Sequence, residues 1–356
     1  TAQSDEEMKI LQMFFKDKEI FSSATRHPKP VSQIAENVTV VTDKEIEAMN
    51  AHTVAEVLNR VNGFFVDFSQ GVGKPGSSSL LHMQGSEERH VLVVVDGVPW
   101  NSMASGAAET NTIPVGIIDR IEIIKGPGSS SWGSSLGGVV HIITKSPGQT
   151  AMPKGKAQGS YGESSTQDYR AELTGSVGKL GYYLFGGRQY SDGFGAGRDF
   201  EGKSFYSKLS YPVSTGIDLG LSIGYSQPDI GLGVFPQFDM SSSGHNRNFW
   251  GTVSLDASLT EELALSLRLF RFQQKSMIAN EVLGLGFVGM EGELFQKTVY
   301  DEKTTGGTAR LVWENGAHTA VIGAEFNDGN LDQTVDSGRL FQYLSLIHIS
   351  EPTRPY

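Results

Sequence analysis

The chain has no cysteine, which excludes a disulfide framework, a thiolate metal site and cysteine catalysis. Long apolar runs are also missing: the best, Val91 to Val95, is cut by Asp96 and Gly97, far short of the about 18 residues of a membrane helix. Any crossing of a membrane must therefore use strands, whose sequence signal is weaker. Positive charge is scarce, with 29 Lys and Arg against 40 Asp and Glu and a formal net charge of -11. Nucleic-acid binding, which relies on clustered cations to neutralise phosphates, is thus disfavoured.

Chemistry-bearing motifs are equally sparse. No Ser, His and Asp set carries elbow chemistry around it, so the chain is not expected to be an enzyme. The loop Gly126 to Gly138 lacks Gly-Lys-Ser/Thr and does not open a helix, which argues against a phosphate cradle. None of His82, His90 and His141 is spaced as part of a ligand set. Asp229, Asp239 and Glu291 do not form a calcium-type run and read as solvated loop carboxylates. Neither a metal nor a cofactor is expected.

What is present is glycine, 43 residues of it, and 10% aromatics, with a mean hydropathy of -0.22. Many strands joined by turns suit that mix. Val38 to Val41 reads as a strand, and Thr42-Asp-Lys-Glu45 has capping-box spacing for a short helix. Thr53-Val-Ala-Glu56 opens a second, with Val54, Val57, Leu58 and Val61 at helical spacing and Asn62-Gly63 as its stop. Three strongly apolar runs, Val91 to Val95, Ile121 to Ile124 and Val139 to Thr144, read as strands buried on both faces.

From residue 149 the rhythm changes to runs of about ten residues with period two. Tyr169, Ala171, Leu173, Gly175 and Val177 alternate with Asp168, Arg170, Glu172, Thr174 and Ser176. Leu219 to Ser226, Phe249 to Leu259 and Leu263 to Leu269 repeat the split. In a soluble sandwich the apolar face would meet a second sheet, and in a membrane barrel it would meet lipid. Periodicity alone does not choose.

The segment from Val91-Leu-Val-Val-Val-Asp-Gly-Val-Pro99 through Ile118-Asp-Arg-Ile-Glu-Ile-Ile-Lys-Gly-Pro127 to Gly137-Gly-Val-Val-His-Ile-Ile-Thr-Lys145 resembles the ordered signature of TonB-dependent receptor plugs. That resemblance implies an α+β plug domain over 25–148, followed over 149–343 by the first part of an incomplete transmembrane antiparallel β-barrel in the bacterial outer membrane. About ten strands are legible, where plug-holding transporters have about 22. Two positions depart from the family pattern: Gln84-Gly85 stands where Arg-Gly is usual, and His141 stands where Asn is usual. Arg120 is retained, and the resemblance implies that it forms an ion pair between plug and barrel.

Residues 1–24 form an N-terminal segment in which Thr1 could follow a removed signal peptide. Within it Glu19, Ile20, Phe21, Ser22, Ser23 and Ala24 resemble a TonB box, which pairs with TonB as an added strand. The loops Gly71 to Ser79 and Trp100 to Ala108 are expected to face a ligand, with Gln70, Lys74, Trp100 and Met103 as contact candidates. Residues 344–356 resemble the in-frame translation of a transposase adapter used in sequencing libraries, and are expected to be an artefact outside the fold.

The function so implied is active uptake of a scarce bulky solute such as a ferric siderophore, haem or cobalamin, with TonB, its energising complex and outer-membrane lipid as partners. The alternative is a non-transporting surface receptor or adhesin on the same scaffold. A soluble β-rich hydrolase is a third class, for which no catalytic residues are found.

Overall fold

The computed structural model describes residues 37–67, 79–127, 132, 135–285, 290–316 and 318–338. The chain divides into two compact units. One draws on Thr1–Asp67, Ser79–Thr110 and Ile117–Ser146, the other on Phe68–Ser78, Asn111–Gly116 and Pro147–Tyr356.

The first unit begins with strand β1 (Asn37–Thr42) and helix α1 (Asp43–Ala48). Its capping box forms as the sequence predicts: the Glu45 amide donates to Thr42 Oγ1, and the Glu45 carboxylate accepts from the Thr42 amide at 2.8 Å. At helix α2 (Val54–Leu58) Thr53 caps the Glu56 amide at 3.2 Å. There the Glu56 carboxylate reaches one residue further back, accepting from the His52 amide at 2.8 Å. The helix ends at Leu58, so Val61, expected within it, lies beyond. Val54, Val57 and Leu58 are all buried.

Strands β2 (Phe64–Asp67) and β3 (Leu80–Met83) form an antiparallel pair. They are followed by β4 (Val91–Val95), β5 (Val98–Pro99), β6 (Ile118–Lys125) and β7 (Gly138–Thr144). The main sheet has the order β1-β6-β7-β4-β5, antiparallel except for the parallel pairing of β4 with β7. The three apolar runs occupy its centre, and Val93, Ile121, Ile123, Val139 and Ile142 are closed to solvent. Each such side chain contributes about 1.5 to 3 kcal/mol on burial.

The second unit is a nine-stranded meander. Its strands are β8 (Lys154–Tyr161), β9 (Gln167–Val177), β10 (Leu180–Ser191), β11 (Phe200–Ser214) and β12 (Ile217–Phe235). They continue with β13 (Met240–Ser258), β14 (Leu263–Val282), β15 (Leu294–Asn315) and β16 (His318–Ser337). Every strand pairs antiparallel with its neighbours in sequence, and β8 and β16 each have one partner among the described residues, so the sheet is not closed. Nine strands stand among the described residues, where the sequence suggested about ten over 149–343.

Connections at one end are short, at 178–179, 215–216 and 259–262. At the other end they include 192–199 and 283–293. Two carboxylates read as solvated loop residues prove otherwise. Asp229 lies within β12 and pairs with His245 at 2.9 Å. Asp239 is buried at the β12–β13 turn with φ 54, where its carboxylate accepts from the Leu285 amide at 2.8 Å. A residue that tolerates the left-handed region there ties two connections together.

Candidate functional site

The faces of the meander carry the functional information. Val177, Val253, Leu269 and Ile322 are 71%, 52%, 58% and 71% exposed, whereas Ser222, Asn248 and Gln274 are 3%, 0% and 3% exposed. A water-soluble sheet hides its apolar side chains and shows its polar ones. Here the arrangement is inverted, and the period-two pattern that could not choose between sandwich and barrel is resolved by exposure.

The protected face is not uniformly polar as the sequence suggested. Tyr183, Tyr206 and Trp250 line up on it, with ring centroids 6.3 Å apart for the first pair and 6.1 Å for the stacked second. Trp250 lies over Gly224, where a Cβ would sit inside the indole.

The same unit holds the segment Asn111–Gly116 against its strands. Ser226 Oγ donates to the Thr112 carbonyl at 2.6 Å and accepts from Asn248 Nδ2 at 3.3 Å. The Tyr183 hydroxyl lies 2.8 Å from the Glu172 carboxylate and 3.3 Å from the Gly116 carbonyl. Gly116 permits a close approach: a Cβ there would collide with the Phe185 ring.

In the first unit the loop after β5 is fixed by Asn101. Its side-chain oxygen accepts from the Val93 amide at 2.9 Å, and its amide nitrogen donates to the carbonyls of Val91 and Gly106, both at 2.8 Å. Ser102 Oγ then accepts from the amides of Ala104 and Ser105. Met103 is exposed. Trp100 is not: its side chain is fully buried, so the expectation that it offers surface to a ligand is corrected. An indole followed directly by the Asn101 anchor is held in the core, and its exposure could not be read from its place in a loop.

Arg120 sits in β6 between two acidic neighbours. Its Nε donates to Glu122 at 2.9 Å and its Nη1 to Asp119 at 3.1 Å. Glu122 is fully buried and has that guanidinium as one of its partners. Both carboxylates found for Arg120 among the described residues are on its own strand. Glu109, hydrogen-bonded by the Ser79 amide, is pushed up to about 7 because burial disfavours its charged form.

Residues 30–139 match the family model described as "TonB-dependent Receptor Plug Domain". The chain resembles the TonB-dependent outer-membrane receptors, and residues 30–139 carry their plug domain. Over 176 residues it is 36% identical to the vitamin B12 transporter BtuB of Vibrio vulnificus, a match covering 48% of this chain and 28% of that protein. The corresponding BtuB of Photobacterium profundum is 34% identical over 167 residues, covering 46% of this chain and 24% of that protein. Among solved structures the fold resembles BauA, the ferric preacinetobactin receptor of Acinetobacter baumannii. That likeness has a TM-score of 0.72 at 13% identity, over 89% of this chain and 50% of that one. The ferric citrate transporter FecA gives 0.67 at 14%, over 86% and 49%. The chain therefore spans about half the length of the solved receptors it matches.

The first unit thus carries the plug fold, and the open meander carries the fold of an incomplete receptor barrel, at home in the bacterial outer membrane. The exposed apolar face of that barrel is its lipid face. Of the site residues expected from sequence, Trp100, Met103 and Arg120 lie in the plug's described residues, whereas Gln70, Lys74 and the box Glu19 to Ala24 lie outside them. Asn101, Glu109 and Ser226 were missed. Their roles depend on partners distant in sequence or on burial, which residue type and spacing do not encode.

Proposed function

We propose that the protein to which this chain belongs takes up a scarce, bulky solute across the outer membrane, drawing energy through TonB. The observation that carries the reading is a plug fold followed by an antiparallel meander with its apolar side chains outward. Cobalamin and ferric siderophores are the solute classes favoured, because the relatives are named as vitamin B12 transporters and the structural neighbours include receptors for ferric chelates. In this reading Met103, Gln70 and Lys74 contact the ligand from the plug loops. Glu19 to Ala24 pairs with TonB by strand addition, where backbone hydrogen bonds give the grip and transmit a pull. Arg120, besides its partners within the strand, forms an ion pair between plug and barrel.

The test is accumulation of labelled cobalamin and of ferric siderophores by cells expressing the full-length protein, with and without a protonophore. Uptake of one of them that disappears on de-energising the cells supports the proposal. Energy-independent leakage, or no accumulation of any chelate, contradicts it.

A further inference from the structure

The protected face of the meander carries a row of rings beside polar rows. Phe185 of β10, Tyr206 of β11, Gly224 of β12, Trp250 of β13 and Phe272 of β14 stand opposite one another in succession. One step along the strands the same face presents Ser204, Ser226, Asn248 and Gln274, the polar lining usual inside a transmembrane barrel. On the other side of the row lie Ser222 and Thr252, with hydroxyls 2.7 Å apart.

Gly224 makes the row continuous. Having no side chain, it lets the Trp250 indole lie down over β12, where a Cβ would come to 2.0 Å from that ring. The indole thereby reaches Tyr206, two strands away, with centroids 6.1 Å apart and planes within 22° of each other. Two near-parallel rings side by side present a broad π surface. One end of the row has an occupant from the same unit. The segment Asn111–Gly116 sets Gly116 against the Phe185 ring and is held by hydrogen bonds from Ser226 to the Thr112 carbonyl and from Tyr183 to the Gly116 carbonyl. Both anchors end on neutral backbone carbonyls, which water can satisfy in their place, so the segment can lift without stranding a charge.

We propose that Tyr206 and Trp250 form a stacking surface for an aromatic or conjugated ring of the transported solute, reached when the segment Asn111–Gly116 lifts from the row. The inference rests on the uptake reading and deepens it by naming the solute class: a ring-bearing solute such as a corrinoid or a catecholate chelate, in preference to a hydroxamate chelate without aromatic rings. A flat π face gains dispersion and quadrupole contact from a second flat π face, which an aliphatic chelate does not offer. Tyr206 and Trp250 are only 1% and 2% exposed. A surface closed at rest contributes nothing to capture from outside and acts on the solute in passage.

The experiment follows cyanocobalamin, a ferric tricatecholate and ferrichrome, a trihydroxamate without aromatic rings, in cells expressing the full-length protein. Saturated uptake rate is read in energised cells, and surface affinity with a protonophore present. Wild type is expected to take up one of the first two. Trp250→Leu and Tyr206→Leu should each lower the saturated rate about five-fold or more and leave the surface Kd unchanged, a split that damage to the outer binding site would not give. Trp250→Phe, which keeps a ring, should lose about two-fold at most. Wild-type rates in both leucine variants overturn the proposal, as does a Kd that weakens in step with the rate. If a leucine variant fails to reach the outer membrane, Trp250→Met, which fills the space with a flexible side chain, carries the same test. Uptake of ferrichrome alone overturns the proposal and leaves the uptake reading intact. Accumulation of none of the three contradicts that reading and the inference with it.

Discussion

The Asp96 carboxylate bridges the end of β4 to Thr144 of the neighbouring β7, accepting from its amide at 3.0 Å and from its hydroxyl at 2.5 Å. Asp96 and Gly97 turn the chain from β4 to β5 with φ 47 and 87, a conformation that Asp tolerates and Gly favours. One residue therefore sets the turn and closes the end of β7. Asp96→Ala should lose about 1 to 3 kcal/mol locally, through the loss of both hydrogen bonds to Thr144 and the strained turn. Asp96→Asn, which keeps one acceptor oxygen, should lose less. Hydrogen exchange at Thr144 reads both, and unchanged protection in the Ala variant would show that the turn holds without the bridge.

Arg120 and Glu122 make a second such dependence. Glu122 is fully buried while Arg120 is 29% exposed, so removing the cation takes a charged partner from a buried carboxylate. Arg120→Ala should cost about 3 kcal/mol, at the lower end for a broken buried pair because the guanidinium keeps some water. Arg120→Ala/Glu122→Gln should recover much of that loss. A double variant no more stable than the single one would place the role of Arg120 elsewhere, including in the proposed barrel ion pair.

Glu109 gives the plug a pH dependence. Its folded value of about 7 lies above the ordinary 4.5, so the stability linked to its proton is complete below about pH 4.5. That stability is lost as pH rises through about 7. Glu109→Gln should match wild type at pH 4 and exceed it at pH 8 by up to about 3 kcal/mol. Exchange rates of the Leu80–Met83 amides across that range measure the difference. Parallel pH profiles for wild type and variant would show that the carboxyl titrates normally.

Much of the fold is legible in the residues. Thr42 with Glu45 and Thr53 with Glu56 announce both helices, because capping is local chemistry between neighbours. The buried runs of β4, β6 and β7 and the period-two runs after residue 149 announce the strands. The β2–β3 pair is not legible, since four-residue strands far apart in sequence show no alternation worth reading. Nor is the face that Leu269 or Ser222 takes: periodicity assigns residues to two faces without saying which one meets solvent. Trp100 was misjudged for a related reason, as loop position says nothing of depth, and the three hydrogen bonds of Asn101 join backbone groups that only the folded loop brings together.

Within the barrel unit, Gly116 accommodates the Phe185 ring. Gly116→Ala should overpack that contact and cost about 1 to 3 kcal/mol, with partial rescue by Phe185→Leu. Additive effects of the two substitutions in thermal unfolding would show that the two residues are not coupled.

The central claim is that the meander turns its apolar face to lipid, and the absence of cysteine from this chain leaves it open to single introduced labels. Single cysteines at Val253 and Leu269, and at Ser222 and Gln274, would carry a fluorophore in the membrane-reconstituted full-length protein, challenged with a quencher dissolved in the bilayer. The account predicts strong quenching at Val253 and Leu269 and little at Ser222 and Gln274. Equal quenching at all four positions, or the reverse pattern, would contradict it.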